Sequence, residues 1–178
     1  MKLLVIRHAT TKGNEQRIIN GLYDDELTEA GRAELPALVE RLHGEAIDAV
    51  FASPLARAVD TAMPVAKDHG LELHVDSRLS EVAMGTFTRQ PYESTLPVFG
   101  YNSSDLLSTY SYDMTAYGGE SAAQVQERVQ AFLNDLKQEP YQTALVVTHG
   151  GIIRWIYYLC KGEKVHGFPN LSVHEFEL

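Results

Sequence analysis

Cysteine is nearly absent from this chain, which limits what can hold its fold together. A single cysteine, Cys160, occurs among 178 residues, so no disulfide framework forms within the chain and a reducing, cytoplasmic location is expected. Cys160 lies in an apolar helical segment without activating neighbours, which favours a small core residue over a catalytic thiol. Long apolar runs are missing too. No segment is long enough to span a bilayer, and no signal-peptide cleavage site follows the short run after Lys2.

Positive charge is also scarce. The chain has 15 lysines and arginines against 24 acidic residues, which gives a net charge of −9. This balance disfavours non-specific binding to nucleic acid or to acidic membranes, so neither is an expected partner. The sequence contains no GxxxxGK[ST] phosphate loop and no HExxH metal pair, and we expect no metal and no cofactor. The oligomeric state is not encoded in any visible pattern, although a homodimer is compatible with the sequence.

Apolar runs alternate with helical patterns along the chain, and this order predicts the fold class. Pro36 predicts a kink in the first long helix, and Ser53 is the expected N-cap of the second. The pattern predicts one α/β domain over residues 1–178, a three-layer αβα sandwich with a mostly parallel central sheet. Strands are predicted at 2–6, 47–52, 71–75, 143–148 and in the final SVHEFEL segment, and helices at 28–43, from 53 to about 69, at 121–137 and at 150–160.

Residues 87–119 do not fit this alternation. A long irregular insert in a compact domain usually serves as a lid or binding loop, so we favour a lid or cap. A surface excursion with a small core of its own is the alternative. The aromatic content favours a leaving group that is uncharged or partly apolar. The aromatic residues of the insert are Phe87, Tyr92, Phe99, Tyr101, Tyr110, Tyr112 and Tyr117.

Two predicted strands end in a histidine. LLVIRHAT leads into His8, and ALVVTHGG leads into His149. Ligands of open parallel sheets bind beyond the carboxyl ends of the strands, so both imidazoles should lie at one edge. A single histidine at a strand end is more often structural than catalytic. Two at the same edge, one of them beside Arg7, favour a functional site.

Further arginine and glycine residues complete this candidate site. Arg57 lies in the first turn of a predicted helix, where a cation opposes the helix dipole unless it binds an anion; a salt bridge is the structural alternative. Gly150 follows His149 at another helix start, where free N–H groups can meet an anion. Guanidinium groups match the oxygens of phosphate, and Arg7 and Arg57 would repel a metal ion. The sequence therefore predicts a phosphate site without a metal.

Segments spread over most of the chain resemble, in order, the signatures of the histidine phosphatase superfamily, which has the phosphoglycerate mutase-like fold. RHATTKGN resembles RHGxTxxN, and NGLYDDELTEAG resembles QGxxDxPLTxxG. VFASPLARAVDTA resembles SPLxRAxxTA, and DSRLSEVAMG resembles the segment that bears the acid. GGES and VVTHGGIIR complete the series. The chain departs from the family pattern at several positions. Ala9 replaces the usual glycine, and Thr10 stands where many relatives, including mutases, carry glutamate. Ile18 stands where arginine is common, and residues 87–89 are Phe-Thr-Arg in place of Trp-Glu-Gly.

The resemblance implies a role for each matched residue. His8 would be the nucleophile that forms a phosphohistidine, and Glu81 would protonate the leaving oxygen and then activate water. Arg7, Arg57 and His149 would surround the transferred group and stabilise its charge. The implied phosphate- or substrate-binding residues are Arg7, Thr11, Asn14, Gly21, Arg57, His149 and Gly150.

The function expected from these residues is that of a phosphomonoesterase of the histidine acid phosphatase type. The expected partner is a small phosphorylated metabolite, and broad specificity is compatible with the departures from the family pattern. Three alternatives stay open: a phosphoprotein phosphatase acting on phosphohistidine or phosphotyrosine, a phosphoglycerate mutase, and a non-catalytic phosphate-binding module.

Overall fold

A five-stranded sheet forms the centre of the protein, whose computed structural model describes residues 1–178. The strand order is β3-β2-β4-β1-β5. Strands β1 to β4 run parallel, and β5 lies antiparallel beside β1 at the edge, so the prediction of a mostly parallel sheet is confirmed. The strands are β1 (Lys2–Arg7), β2 (Ala49–Ala52), β3 (Leu73–Val75), β4 (Thr143–Thr148) and β5 (Val173–Glu177).

Helices cover both faces of the sheet. They are α1 (Lys12–Gln16), α2 (Glu29–Ala33), α3 (Leu35–Leu42), α4 (Ala56–Asp68), α5 (Leu96–Phe99), α6 (Ser103–Leu107), α7 (Ala122–Leu136) and α8 (Gly150–Lys161). The sheet divides the core into two halves, one packed against α7 and α8 and the other against α3 and α4. This is the expected three-layer arrangement. None of the helices has both the length and the apolar content to cross a membrane.

The structure confirms one sequence prediction about a helix start and contradicts another. The helix predicted at 28–43 is interrupted at Glu34, just before Pro36, because proline cannot donate the hydrogen bond that would continue α2 into α3. Ser53 is not the N-cap of α4, contrary to expectation. That position is held by Leu55, and the Ser53 hydroxyl instead hydrogen-bonds the ring of His149, 2.7 Å away.

Strands β1 and β4 form a rigid base for the site. Residues 3–6 and 144–147 are all buried, as expected for adjacent strands covered on both faces. Burying each of the valine, leucine and isoleucine side chains among them contributes about 1.5–3 kcal/mol of transfer free energy. The two strands are in register, with Arg7 opposite Thr148, so His8 and His149 leave the sheet side by side.

The insert at 87–119 consists of short helices and turns that have a small core of their own. Phe87, Phe99 and Tyr117 pack together with ring centroids 5.1–5.8 Å apart. Tyr110 packs on Trp155 of α8 at 5.2 Å, and Tyr112 accepts a hydrogen bond from the same indole. Most of its aromatic rings therefore stabilise the insert and its attachment. A lid or cap role for this segment stays a prediction.

Candidate active site

A cavity of about 180 Å³ lies beyond the carboxyl ends of β1 and β4. Its wall includes most of the predicted site residues, but Thr11 and His149 do not line it. Of the aromatic residues in the insert that are listed above, Tyr92 alone lines the cavity, so the aromatic content of the insert no longer supports the expectation of an uncharged or partly apolar leaving group. The predicted residues on the wall are Arg7, His8, Asn14, Gly21, Arg57, Glu81 and Gly150.

His8 is 3% exposed and is held in one orientation. Its Nδ1 lies 2.7 Å from the carbonyl oxygen of Ala9, which can only accept, so Nδ1 carries the proton. Nε2 has no hydrogen-bond partner and keeps its lone pair. Burial, followed by the charges of Arg57 and Arg7, lowers the pKa of His8 well below the ordinary 6.5. The ring is therefore neutral at physiological pH and able to act as a nucleophile.

His149 lies beneath the cavity floor, and its exposed fraction is 0%. Its ring centroid is 5.1 Å from that of His8. Nδ1 accepts from Nε of Arg57 at 3.3 Å, so Nε2 carries the proton and donates to the Ser53 hydroxyl. Burial, followed by the charge of Arg57, lowers the pKa of His149 as well. A neutral imidazole is therefore fixed behind the arginine that faces the cavity.

Arg57 makes no salt bridge, so the structural alternative considered for it does not apply. Its terminal nitrogens donate to the carbonyl oxygens of Tyr23, at 2.7 Å, and Gly21, at 2.8 Å. Each keeps a second hydrogen for a ligand. Gly21 has a backbone φ of +49°, in the left-handed region that favours glycine, and this conformation places its carbonyl oxygen against Arg57. The side chain of Asp24 accepts from the backbone N–H of Ala56 and fastens this loop to the start of α4.

Arg7 presents a donor with no acceptor. One terminal nitrogen donates to the carbonyl oxygen of Phe168, but the buried Nε has no partner. An unsatisfied buried donor costs about 1–3 kcal/mol. This atom lies 3.8 Å from the point that a Cβ on Gly150 would occupy, at the N-terminus of α8. The cavity therefore lacks an acceptor at the position where the helix and Arg7 converge.

The carboxylate of Glu81 packs directly on the start of α8. It accepts from the backbone N–H of Val82 at 2.9 Å and of Gly151 at 3.3 Å. Arg128 of α7 holds the preceding backbone by donating to the carbonyl oxygens of residues 78 and 80, at 2.7 and 2.8 Å. Glu120 pairs with Arg128 and accepts from the N–H of residue 83. The GGES segment thus fixes the position of Glu81, whose half-buried side chain lines the cavity.

Thr11 and Asn14 have different positions in the structure. Thr11 is fully buried, and its hydroxyl caps α1 by accepting from the backbone N–H of Asn14. Asn14 lines the cavity, and its Oδ1 accepts from Nδ2 of Asn170 at 3.1 Å. The same Asn170 nitrogen donates to the carbonyl oxygen of His8 at 2.8 Å. The loop before β5 therefore ties the backbone of His8 to the side chain of Asn14.

Several cavity residues are absent from the sequence prediction. The most notable is Arg154 on α8, which stands one helical turn after Gly150 within VVTHGGIIR; that spacing is the signal that could have found it. The wall carries three arginines and one carboxylate, so the cavity is locally positive in a chain of net charge −9. No three His, Cys, Asp or Glu side chains lie close enough together to hold a metal ion. The other missed residues on the wall include Tyr92, Ser103, Ser104 and Phe168.

Comparison with known families agrees with this geometry. The profile of the histidine phosphatase superfamily, branch 1, matches residues 3–178. The chain belongs to this superfamily. It is 31% identical over 175 residues to a protein of Hydrogenobacter thermophilus named putative phosphoserine phosphatase 2, covering 97% of this chain and 84% of that one. It is 29% identical over 154 residues to the adenosylcobalamin/alpha-ribazole phosphatase of Escherichia coli, covering 86% and 75%.

Solved structures show the same fold for this member of the histidine phosphatase superfamily. A mycobacterial glucosyl-3-phosphoglycerate phosphatase, solved in complex with VO3, superimposes with a TM-score of 0.87 at 25% sequence identity. The match covers 98% of this chain and 90% of that one. The phosphoglycerate mutase-like fold expected from the sequence is thereby confirmed.

Proposed function

We propose that this chain is a phosphomonoesterase that hydrolyses small phosphorylated metabolites through a phosphohistidine on His8. The observation that carries the proposal is the neutral His8 ring, whose unpaired Nε2 belongs to a cavity that also holds the unsatisfied Nε of Arg7. A nucleophile with a free lone pair beside donors that lack an acceptor is what transfer of a phosphoryl group requires.

In the first step, Nε2 of His8 attacks phosphorus and the bond from phosphorus to the leaving oxygen breaks. Arg7, Arg57 and the N-terminus of α8 hold the phosphoryl oxygens, while Asn14 offers a neutral amide. Glu81 gives its proton to the leaving oxygen, so the product departs as an alcohol. His149 does not need to touch the substrate, because it acts by fixing Arg57 through Nδ1.

In the second step, water attacks the phosphohistidine. Glu81 takes a proton from this water, the bond from nitrogen to phosphorus breaks, and inorganic phosphate leaves. His8 returns to its neutral form, and Glu81 is protonated again. The residues supply every proton transfer, so the proposed cycle requires no metal or cofactor.

The size of the cavity supports a small substrate over a phosphorylated side chain on a folded protein. Residues of the insert, among them Tyr92 and Leu107, form one wall, and Phe168 belongs to the opposite end of the chain. At about 180 Å³, the cavity suits a compact phosphate ester. The relatives named phosphoserine phosphatase, alpha-ribazole phosphatase and glucosyl-3-phosphoglycerate phosphatase are likewise named for small phosphate esters, which supports the proposal.

Turnover of p-nitrophenyl phosphate in the presence of EDTA tests the proposal. The native protein should release phosphate, and an alkaline quench with detergent during turnover should trap a phosphoprotein that is stable in base and labile in acid. His8→Ala should abolish both signals. His43→Ala is the matched control, because His43 lies on the surface in an ion pair with Asp68. It should retain full activity.

Three results would redirect the assignment. Binding of phosphate without turnover by either protein would favour a non-catalytic module. Interconversion of 3- and 2-phosphoglycerate faster than hydrolysis would establish a mutase. Faster release of phosphate from a phosphotyrosyl or phosphohistidyl protein than from small esters would establish a phosphoprotein phosphatase.

A further inference from the structure

Asn170 lies in the loop before β5 and connects two residues of the candidate site that are distant from it in the chain. Its Nδ2 donates to the carbonyl oxygen of His8 at 2.8 Å and to Oδ1 of Asn14 at 3.1 Å. A backbone carbonyl oxygen can only accept, so the amide atom of Asn170 beside it is the nitrogen, and both hydrogens of this nitrogen are used. Asn170 does not itself line the cavity, so it can affect a ligand only through its partners.

The amide of Asn14 receives a second hydrogen bond at the same oxygen. The backbone nitrogen of Thr11, which can only donate, lies 3.2 Å from Oδ1. Oδ1 therefore accepts from two donors, which matches its two lone pairs. Nδ2 of Asn14 donates to no group of the protein, although the side chain belongs to the cavity wall. The protein thus holds the oxygen of this amide, and the NH2 group is available to a ligand.

The orientation of this amide decides whether Asn14 attracts or repels a phosphoryl group. The oxygens of phosphate act as acceptors, so they bind the NH2 group of an amide and are repelled by its oxygen. The two ends of the amide have nearly the same shape, and a half-turn about the bond from Cβ to Cγ exchanges them. Steric fit therefore does not select the correct end, and the donors at Oδ1 have to select it.

We infer that Asn170 is a positioning residue, which turns the NH2 group of Asn14 toward the phosphoryl group by holding the oxygen of the same amide. The bond from Thr11 is local, because it is part of the capping box of α1. Asn170 is 156 residues away from Asn14 and adds the contact that depends on the closed fold. The inference rests on the proposed function, because it takes a phosphoryl group as the ligand.

Asn170→Asp retains the size of the side chain but replaces its donor with an acceptor. A carboxylate repels Oδ1 of Asn14, so the amide of Asn14 should turn over, donate to the carboxylate and present its oxygen to the cavity. Titration of isotopically labelled protein with inorganic phosphate, followed by NMR, measures the affinity of each variant. Asn170→Asp should weaken phosphate binding by about 10- to 100-fold more in the native protein than in the Asn14→Ala variant. The Asn14→Ala background isolates the effects of the added charge and of the lost bond to His8.

The side-chain NH2 signals of Asn14 report the orientation directly and are identified by their absence from the spectrum of Asn14→Ala. In the native protein they should move downfield as phosphate is added, because a hydrogen bond to an anion deshields the donated proton. In Asn170→Asp they should not respond. Asn170→Ala leaves the Thr11 donor in place, so it should weaken binding by only about 3-fold, and by less than that in the Asn14→Ala background. Asn134→Asp is the matched control, because it makes the same change of charge at an exposed position of α7, and it should bind phosphate as the native protein does.

Two results would overturn the inference. One is an equal loss of affinity from Asn170→Asp in the two backgrounds, and the other is a native protein whose Asn14 NH2 signals do not respond to phosphate. If Asn170→Asp does not fold, equal losses from Asn170→Ala in the two backgrounds have the same meaning. Turnover of p-nitrophenyl phosphate is recorded separately. A native protein that binds phosphate through Asn14 but does not hydrolyse this ester would refute the proposed function and leave the inference standing.

Discussion

Gly151→Ala should displace the carboxylate of Glu81 while leaving that carboxylate in the protein. A Cβ on Gly151 would lie 2.2 Å from Oε1 of Glu81 and 2.9 Å from a methyl carbon of Val82. Reaching ordinary contact at 3.4 Å requires the carboxylate to retreat by about 1 Å. The helix itself should tolerate the change, because alanine favours helix over glycine by about 1 kcal/mol.

We expect the reaction to slow for substrates whose leaving group needs a proton. A misplacement of about 1 Å lowers the rate of a catalysed step by roughly 100-fold, or about 2.7 kcal/mol of transition-state stabilisation. Phenyl phosphate has a poor leaving group, so the first step with this ester should slow by this factor. The p-nitrophenolate ion leaves without assistance, so the first step with p-nitrophenyl phosphate should slow by less than about 5-fold. The second step, in which Glu81 activates water, is common to both esters and does not distinguish them.

Single-turnover kinetics on the two aryl phosphates measures the first step with each ester while substrate shape stays similar. Gly44→Ala is the matched control, because a Cβ there meets no atom within 4 Å. Adding Gly151→Ala to Glu81→Ala should cause little further loss if the two residues act through one another. Equal losses of the first-step rate for both esters, or a full additional loss in the Glu81→Ala background, would refute the account.

Three further predictions concern Arg7, the buried histidines His8 and His149, and Arg128, which holds the backbone that carries Glu81. Arg7→Lys keeps the charge but removes the unsatisfied Nε, so competitive inhibition by vanadate should weaken by about 10-fold or more. The lowered pKa values of His8 and His149 mean that the folded protein binds fewer protons than the unfolded chain. The free energy of unfolding should therefore fall as the pH drops below about 6.5, by up to about 1.4 kcal/mol per pH unit for each histidine, and urea titrations at several pH values measure this slope. Arg128→Met releases the backbone that carries Glu81, so in single-turnover measurements the first step with phenyl phosphate should slow more than the first step with p-nitrophenyl phosphate.

The fold and the centre of the site were accessible from the sequence because local patterns encode them. Continuous apolar runs identify β1 and β4, and the capping box of Ser121 with Gln124 begins α7 where predicted. The convergence of His8 and His149 follows from parallel strands whose carboxyl ends meet at one edge. These features depend on neighbours in the chain or on one simple rule of topology.

Contacts between distant segments were not accessible in the same way. Ser53 resembles a helix cap in sequence, but its hydroxyl pairs with the ring of His149, 96 residues away. Nothing local to Asn170 indicates that it donates to the carbonyl oxygen of His8. The insert's aromatics favoured an uncharged or partly apolar leaving group, but tertiary packing directs most of those rings to the insert's own core and to α8. Tertiary structure decided each of these cases.

The hydrogen bond from Asn170 to the carbonyl oxygen of His8 joins residues 162 positions apart. The pairing of β1 with β5 beside it spans a similar separation, and contacts between residues so distant in the chain form slowly. This end of the structure should therefore form late on the folding pathway, and during refolding from urea helical circular dichroism should recover before enzymatic turnover does. Simultaneous recovery of the two signals would show that these contacts are already made when the helices form. Where turnover lags behind, its recovery reports when the two ends of the chain come together.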